Sequence, residues 1–434
     1  MTPIQSKSLP DILKGKDILA QAKTGSGKTA AFAIGLLHKI ETRVYQTQAL
    51  ILCPTRELAD QVNKEIRRLA RAIPNTKILT LCGGTPMQPQ LASLDHPPHV
   101  VVGTPGRILK HLKKGSLNLG HVTTLVLDEA DRMLDMGFYD DIMNIINMTP
   151  RKRQTLLFSA TYPDAITQIS NTIQKSPVDI RVNTTHEHNK LKQVFYEINK
   201  GQRTQSLVSL LHHYQPESCV IFCNRKQQCN ELANELRQKG FSAQALHGDL
   251  EQRQRDQVLV QFSNKSSSIL IATDVAARGL DIKALEAVIN YELSPDPEIH
   301  IHRIGRTGRA GNEGLALSLF AASEQFRVDA ISEYQKNPVK IEDISLLNNH
   351  QNVKLIPPMI TLTISAGRKD KVRAGDILGA LTATKELSGK QIGKIDIFDK
   401  IAFIAVDRHI AKQALSILSR GKIKGRKFRV NALT

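Results

Sequence analysis

The sequence contains no tryptophan, and aromatic residues make up only 4% of its 434 residues. So few rings leave few side chains on which bases or other planar ligands could stack. Apolar runs of about 18 residues or more are missing, and the first residues contain no hydrophobic signal core. These absences argue against a membrane-spanning or secreted protein, so we expect no membrane partner and a cytoplasmic location.

Cysteine is scarce, with five residues in the whole chain. Most of them lie in apolar runs typical of buried strands. Cys219 and Cys223 have no second pair of Cys or His residues at zinc-finger spacing. We therefore predict buried free thiols in a reducing cytosol rather than a zinc site.

Acidic residues are outnumbered, since 59 Lys and Arg residues against 41 Asp and Glu residues give a net charge of +18. The excess is concentrated from Asn352 onward, where 17 basic residues face 6 acidic ones in 83 residues. Concentrated positive charge favours a polyanionic partner without identifying it. We expect the C-terminal segment to contact nucleic acid first.

The chain is rich in short apolar runs that alternate with helical stretches up to about residue 340. The predicted strands are 16–22, 48–54, 77–84, 99–105, 123–130 and 154–161, then 218–224, 242–249, 267–274, 285–292 and 314–320. Near-continuous apolar strands between helices are typical of parallel sheets covered on both faces. We predict two α/β domains of similar size, 1–183 and 190–343.

A different pattern follows a polar linker at 344–358. Its order is strand, helix, two adjacent strands, helix and strand, at 360–365, 375–383, 392–399, 401–408, 410–419 and 427–433. This βαββαβ order predicts a small α+β domain over 359–434.

The segment AKTGSGKT, which begins at Ala22, follows a predicted strand and opens a helix. There the backbone at Gly25 and Gly27 can turn N–H groups toward phosphate oxygens, aided by the positive end of the helix. Lys28 can reach the outer phosphates, and the Thr29 hydroxyl can bind Mg²⁺. The general pattern has a glycine where this segment has its first alanine, and a chance glycine-rich loop is the alternative.

Two acids, Asp128 and Glu129, come just after another apolar strand, where α/β sheets present ligands. Asp128 can hold Mg²⁺, partly through water, and Glu129 can orient and deprotonate an attacking water. Acids after a strand can also simply favour a helix N-terminus. The phosphate loop in the same domain favours the metal–nucleotide interpretation.

The segment HRIGRTGRAG, which begins at His302, places Arg303, Arg306 and Arg309 three residues apart among small residues. Glycines this close to arginines let backbone and guanidinium both approach an anion. The anion could be a nucleic-acid backbone or a nucleotide phosphate, or the loop could only be solvated.

The order of motifs resembles the DEAD-box ATP-dependent RNA helicases of superfamily two, over residues 1 to about 340. The motifs that carry the resemblance are TPIQ, AKTGSGKT, PTRELA, GG, TPGR, DEAD, SAT, VIFCNRK, ATDVAARGLD and HRIGRTGRAG. The resemblance implies two tandem RecA-like domains that bind RNA and hydrolyse ATP to ADP and phosphate, with Mg²⁺.

The same resemblance implies a role for each matched residue. ATP would be bound by Gln5, at the adenine edge, and by Ala22, Lys23, Thr24, Gly25, Ser26, Gly27, Lys28, Thr29, Gly279 and Asp281. The catalytic residues would be Lys28, Asp128, Glu129, Arg306 and Arg309. The RNA path would be lined by Arg56, Gly84, Thr104, Arg107, Arg225, Thr273 and Asp274. Nucleotide state and RNA would be coupled by Ser159, Thr161 and His302.

The resemblance also favours one anion for the arginine segment. Arg306 and Arg309 would stabilise charge on the γ-phosphate in the transition state, once ATP and RNA close the two domains. It assigns no role to Arg303.

One departure lies at the N-terminus. In the family an aromatic residue some way before the TPIQ motif stacks on adenine, whereas this sequence begins one residue before that motif. Either the start is misassigned or trimmed, or adenine binding is weakened. We expect the former because the later ATP motifs are intact.

The C-terminal domain is similar to an RNA-recognition motif, although its aromatic signature is incomplete. Phe403 is in place for base stacking, but Ile401 and Val406 occupy other aromatic positions. We expect RNA affinity from two basic segments, GRKDK and GKIKGRKFR, through Lys369, Lys371, Lys422, Lys424 and Arg426. A solvated charge run is the alternative for either segment alone.

This combination of core and tail resembles a bacterial subfamily whose tail recognises a hairpin of large-subunit ribosomal RNA. We therefore expect a monomer that unwinds short duplexes in 23S rRNA during assembly of the large ribosomal subunit. The alternatives are an ATP-gated RNA clamp without rRNA specificity and a DNA helicase. The motifs and the tail disfavour the DNA helicase.

Overall fold

The computed structural model describes residues 1–22, 26–161, 164–182, 191–199, 201–277, 285–308, 313–347, 355–383 and 386–433. The chain divides into two compact units. The first unit contains one parallel sheet, and the second contains another parallel sheet and a small antiparallel sheet. Within these ranges, every helix is too short or too polar to cross a lipid bilayer.

The first sheet is built from β1 (Ile18–Gln21), β2 (Ala49–Leu52), β3 (Ile78–Leu81), β4 (Val100–Gly103), β5 (Thr124–Asp128), β6 (Gln154–Ser159) and β7 (Val178–Arg181). All pairs are parallel, in the order β3-β4-β2-β5-β6-β1-β7. Its helices are α1 (Pro3–Leu13), α2 (Lys28–Lys39), α3 (Arg56–Leu69), α4 (Met87–Leu94), α5 (Pro105–Lys113), α6 (Ala130–Asp135), α7 (Tyr139–Asn147) and α8 (Asp164–Ile173).

Both faces of this sheet are buried, as its apolar strands predict. Along β2, Ala49 and Ile51 belong to one hydrophobic core, and Leu50 and Leu52 belong to the other. Successive side chains of a strand point to opposite faces, so an unbroken apolar run serves two cores at once. Polar side chains therefore lie at the carboxyl ends of the strands, at the edge of the sheet.

The second sheet consists of β8 (Leu191–Ile198), β9 (Cys219–Phe222), β10 (Ala243–Leu246), β11 (Ile269–Ala272), β12 (Ala287–Asn290), β13 (Gly314–Ala321) and β14 (Ile341–Asp343). It too is parallel, in the order β10-β11-β9-β12-β13-β8-β14. Its helices are α9 (Arg203–Tyr214), α10 (Lys226–Gln238), α11 (Gln252–Ser263), α12 (Asp274–Ala277), α13 (Pro297–Ile304) and α14 (Gln325–Gln335).

The C-terminal sheet is antiparallel and contains β15 (Met359–Ile364), β16 (Ile392–Ile397), β17 (Ala402–Asp407) and β18 (Val430–Leu433). The strand order is β16-β17-β15-β18, and the helices are α15 (Ala374–Thr382) and α16 (Ala411–Arg420). Leu362 and Ile404 pack with Ile377 of α15 and Leu418 of α16 in one core, so both helices cover the same face of the sheet.

The predicted fold class is confirmed: two parallel α/β sheets are followed by a small βαββαβ domain. Three strands were not predicted, β7, β8 and β14. The five cysteines are free and buried, as their apolar surroundings predict. The domain boundaries near 183, 190, 343 and 359 stay predictions.

Candidate functional site

Lys28 and Asp128 form a buried ion pair at the carboxyl edge of the first sheet. Lys28 is the first residue of α2, and Asp128 is the last residue of β5. The Lys28 Nζ lies 3.2 Å from the Asp128 Oδ1, and the two side chains are 5% and 0% exposed. The structure thus brings together the predicted phosphate-binding lysine and the predicted metal-binding acid.

The buried pair keeps hydrogen-bonding capacity for a ligand. Beyond their mutual contact, the Lys28 ammonium and both Asp128 oxygens make no well-formed hydrogen bond to the described part of the chain, and neither does the buried Ser26 hydroxyl. Burial raises the pKa of the Asp128 carboxyl, and the Lys28 charge offsets part of that rise. Burial alone would lower the pKa of Lys28, but the nearby carboxylates, Asp128 first, raise it above its ordinary value. An ammonium with unused hydrogen-bond donors fits nucleotide phosphates, and carboxylate oxygens with unused acceptor capacity fit a divalent metal ion.

The N-terminal helix is tied to the phosphate loop through Gln5. The Gln5 Nε2 donates to the Gly27 carbonyl at 3.1 Å, and its Oε1 accepts from the Thr2 N–H at 2.9 Å. Gly27 has φ +94°, and a Cβ there would lie 2.6 Å from the Gln5 Nε2. Only glycine adopts this conformation freely with such close neighbours. Gln5, the predicted adenine-binding residue, therefore also holds the loop.

Glu129, the predicted general base, has a left-handed backbone with φ +54° and ψ +54°. Left-handed backbone costs a non-glycine residue roughly 1–2 kcal/mol, and such outliers cluster at active sites. The side chain is buried beside Asp128. The strained turn thus places two successive acids at one edge of the sheet.

Asp131 links the DEAD segment to the SAT segment. Its Oδ2 accepts from the N–H groups of Ala160 and Thr161, each at 3.1 Å, and from the Thr161 hydroxyl at 3.0 Å. The Ser159 hydroxyl donates to the Thr161 carbonyl at 2.6 Å, and the Ala22 N–H donates to the Ser159 carbonyl at 2.9 Å. This series of hydrogen bonds joins the DEAD segment to Ala22, at the start of the phosphate loop. Sequence reasoning did not assign Asp131, although its place in the DEAD motif was a signal.

Six predicted residues lie outside the described ranges. They are Lys23, Thr24, Gly25, Gly279, Asp281 and Arg309. Their roles stay predictions. Thr29, the predicted Mg²⁺ ligand, is half-buried in the first turn of α2.

Predicted RNA-contacting residues of the first unit meet at the ends of β3 and β4. Gly84 has φ +68°, and a Cβ there would lie 1.9 Å from the Arg56 Nη2. The Thr104 hydroxyl accepts from the Gly83 N–H at 3.4 Å. Residues from three separate motifs therefore share one surface.

Arg107 joins this surface through Gln90, which sequence reasoning missed. The Gln90 Nε2 donates to the Cys82 carbonyl at 3.0 Å, and the Gln90 Oε1 accepts from the Arg107 Nη1 at 3.0 Å. The buried His111 Nε2 lies 2.9 Å from the same Oε1. Burial, and then the Arg56 charge, lower the pKa of Arg107. No signal in the linear sequence singled out Gln90 or His111.

In the second unit, the predicted residues lie at the ends of β9 and β11 and along α13. Arg225 is exposed at the N-terminus of α10, and Thr273 is buried directly after β11. Asp274 holds Arg303, with its Oδ1 2.7 Å from the arginine Nε. Its carboxylate therefore has a structural partner in addition to its predicted place on the RNA path. His302 and Arg306 are partly exposed near the C-terminus of α13.

The two basic segments of the tail form neighbouring turns. The Lys424 Nζ donates to the Lys371 carbonyl at 3.2 Å. Lys424 and Gly425 have φ +51° and +78°, as in a two-residue hairpin turn, and the buried Ile423 anchors it. The predicted contacts are all exposed: Lys369, Lys371, Lys422, Lys424 and Arg426. The structure thus unites two segments about 50 residues apart in sequence into one cationic surface.

The tail presents the sheet face opposite its helices to the second parallel-sheet domain. Thr361 is fully buried there, with its hydroxyl 3.3 Å from the Asn264 Nδ2 and 2.6 Å from the Ser266 Oγ. Lys394 donates to the Ser263 hydroxyl at 3.0 Å. We call residues 263–266, which begin at the last residue of α11, the docking turn.

Phe403 lies on the same sheet face and is 2% exposed. It packs edge to face against Phe398, with ring centroids 5.4 Å apart. In this arrangement the ring offers no open face to a base. RNA binding by the tail is therefore better supported at the basic turns than at Phe403.

Three known protein families match this chain, one for each of its three sheets. Residues 2–169 match the DEAD/DEAH box helicase family, residues 202–311 match the helicase conserved C-terminal domain, and residues 361–432 match the DbpA RNA binding domain. The chain is 53% identical over 433 residues to the ATP-dependent RNA helicase DbpA of Escherichia coli K12, covering 100% of this chain and 94% of that protein. It is 45% identical to the ATP-dependent RNA helicase CshA of Listeria monocytogenes, over 77% of this chain and 64% of the relative.

Solved structures with similar folds include two with bound RNA. Dbp5 of S. cerevisiae bound to RNA and ADP BeF3 has a TM-score of 0.71 and 30% identity, covering 79% of this chain and 90% of its own. Mss116p bound to ssRNA and AMP-PNP has a TM-score of 0.71 and 29% identity, covering 79% of this chain and 74% of its own.

Proposed function

The chain belongs to the DEAD-box family of ATP-dependent RNA helicases and has a DbpA-type RNA-binding domain, and we propose that it unwinds short duplexes in 23S rRNA during assembly of the large ribosomal subunit. The tail selects the RNA, and the two parallel-sheet domains use ATP to separate the strands. We also propose that it acts as a monomer in the cytoplasm.

The buried Lys28–Asp128 pair carries the nucleotide part of this proposal. The Lys28 ammonium would bind the outer phosphates, and Thr29 and Asp128 would hold Mg²⁺, partly through water. When bound, Mg²⁺ supplies positive charge that neutralises the phosphate oxygens. Glu129 orients the attacking water and accepts its proton. Arg306 and Arg309 stabilise the charge that develops on the γ-phosphate.

Two cationic surfaces support the RNA part. The first unit gathers Arg56, Gly84 and Arg107 at one edge of its sheet. Backbone and guanidinium groups at strand ends can hold phosphates without reading sequence. The paired basic turns of the tail add a second surface, and this is where selection for one RNA would arise.

The experiment is an RNA-stimulated ATPase titration at saturating ATP and Mg²⁺. We compare poly(A), total rRNA and isolated 23S rRNA fragments, and expect half-maximal stimulation at the lowest concentration with one class of 23S fragment. The triple variant Lys422→Gln, Lys424→Gln, Arg426→Gln should lose that preference while keeping its response to poly(A). Lys412→Gln is the matched control, since Lys412 is exposed on α16 outside both turns.

Equal stimulation of the unmodified protein by all three RNAs would show that the 23S proposal is wrong. A parallel assay follows strand separation in a short labelled duplex next to the preferred fragment. Long-lived ATP-dependent complexes without strand separation would favour the RNA clamp instead.

A further inference from the structure

Arg303, which the family resemblance leaves without a role, is the largest fully buried side chain of the described residues. It lies on α13, 2% exposed, beneath the carboxyl ends of β9, β11 and β12. A buried guanidinium is costly unless every donor is paired. Its partners therefore show what the residue holds in place.

All five N–H donors of this guanidinium are satisfied. The Nε and Nη2 donate to the two carboxylate oxygens of Asp274, each at 2.7 Å. The second Nη2 donor reaches the Asn224 Oδ1 at 2.9 Å. The Nη1 reaches the Asn290 Oδ1 at 3.2 Å and the Glu292 carbonyl at 2.7 Å.

Two of these partners belong to the proposed RNA-binding segments. Asn224 precedes Arg225, and Asp274 is itself a predicted RNA contact that follows Thr273. On the other side, the Arg306 N–H donates to the Arg303 carbonyl at 3.1 Å. One side chain therefore joins both RNA segments of the second unit to the helix end that carries the proposed γ-phosphate arginine.

We propose that Arg303 is a positioning residue, which holds the segments 224–225 and 273–274 in the geometry that binds RNA and couples them to Arg306. The inference rests on the proposed function. The position requires arginine because its planar fork reaches partners at the carboxyl ends of three strands, β9, β11 and β12, whereas a lysine ammonium is a single point of charge. Asn290 lies on the buried strand β12, and its Nδ2 donates to the Ser318 hydroxyl at 3.0 Å, so this partner leads into the sheet. Glu292 belongs with the RNA side, because its Oε2 accepts from the Asn224 N–H at 2.9 Å.

Asn224 and Asn290 provide matched variants. Asn224→Ala removes the partner of Arg303 next to Arg225 and also the hydrogen bond from the Asn224 Nδ2 to the Leu293 carbonyl. Asn290→Ala likewise removes a partner of the same guanidinium and a hydrogen bond to Ser318, on the buried strand β12. We expect Asn224→Ala to raise the RNA concentration for half-maximal ATPase about tenfold, the equivalent of one hydrogen bond to a charged group. Asn290→Ala should lower the melting temperature and leave that concentration unchanged.

Arg303→Lys completes a double-mutant cycle. If Asn224 acts through Arg303, adding Asn224→Ala to Arg303→Lys should weaken RNA binding no further. Fully additive effects would overturn the proposal, because Asn224 would then act on RNA by itself. Should Arg303→Lys fail to fold, the two alanine variants decide alone: equal changes in RNA half-saturation would overturn the proposal, and unequal changes in the stated direction would support it.

Failure of this inference can be separated from failure of the proposed function. An unmodified protein whose ATPase shows no preference for 23S fragments contradicts the rRNA assignment only. An unmodified protein with normal RNA stimulation, together with an Asn224→Ala variant of unchanged RNA half-saturation, contradicts the role of Arg303 only.

Discussion

The guanidinium of Arg56 lies directly over the backbone of Gly84, in the space that a side chain would fill. A Cβ at Gly84 would lie 1.9 Å from Nη2, 2.0 Å from Nη1 and 2.1 Å from Cζ. The left-handed φ of +68° at Gly84 adds strain for any other residue. Two motifs about 30 residues apart are thus fitted to each other at the proposed RNA surface.

Gly84→Ala should displace Arg56 and weaken RNA binding. We expect the RNA concentration for half-maximal ATPase to rise about tenfold, because a charge-assisted contact is lost, while the KM for ATP stays the same. Gly83→Ala is the control, since a Cβ there meets nothing within 4 Å. Similar RNA affinities of the two variants would show that the fit is unimportant for RNA.

Gln90→Ala should disturb the same proposed RNA surface, because the buried Gln90 holds Arg107 in place. It leaves the Cys82 carbonyl, His111 and Arg107 each short of one partner, at a cost of about 1–3 kcal/mol for each buried group. We expect a lower melting temperature together with a higher RNA half-saturation. The exposed Gln88, on the same helix, provides the control Gln88→Ala. A fall in melting temperature at unchanged RNA affinity would limit Gln90 to a structural role.

Glu129→Gln should retain ATP and RNA binding and lose turnover. Removal of a general base costs about a hundredfold or more in rate. Binding of labelled ATP and RNA, measured beside phosphate release, separates the two effects. Asp135→Asn, at an acid of α6 whose side chain is 51% exposed, should behave like the unmodified protein. Undiminished hydrolysis by Glu129→Gln would contradict the assignment.

His300 should make folding stability depend on pH. Burial, and then the Arg303 charge, lower the pKa of His300 from 6.5 to about 3. Below pH 6.5 the unfolded chain takes up a proton that the folded chain cannot. The contribution of neutral His300 to the free energy of unfolding is therefore complete above pH 6.5 and is lost as the pH falls toward 3.

Between pH 7.5 and 5.5 this group should lower the free energy of unfolding by about 1.4 kcal/mol. Urea unfolding at both pH values checks the difference between the unmodified protein and His300→Gln, in which that loss should disappear. His409→Gln, at an exposed histidine, serves as the comparison. An identical pH dependence in His300→Gln would rule out His300 as the source.

Much of the fold could be predicted because apolar strands between helices carry a local signal. The strands that escaped prediction show it only in part. β14 has three residues, two of them exposed. β8 has a buried apolar stretch, Val194 to Tyr196, but LKQ precedes it, in which only Leu191 is apolar. Both pair at one side of the second sheet, where their position depends on the strands beside them.

The candidate site divides in the same way. Lys28 and Asp128 could be predicted because each stands at a fixed offset from a strand end. Gln90 and Arg303 could not, because their importance lies in contacts with residues 8 to 79 positions away. The 2% exposure of Phe403 could not be predicted either, because burial of its sheet face depends on packing with other segments.

The docking turn has a consequence for how such proteins can be recombined. Thr361 and Lys394 hold the tail through Ser263, Asn264 and Ser266, which belong to the core. If this tail were fused to another DEAD-box core, it would keep its basic turns. It would keep its orientation on the core only if those three residues were introduced there as well. The basic turns that we propose select the RNA and the contacts that fix the orientation of the tail therefore lie in different parts of the chain.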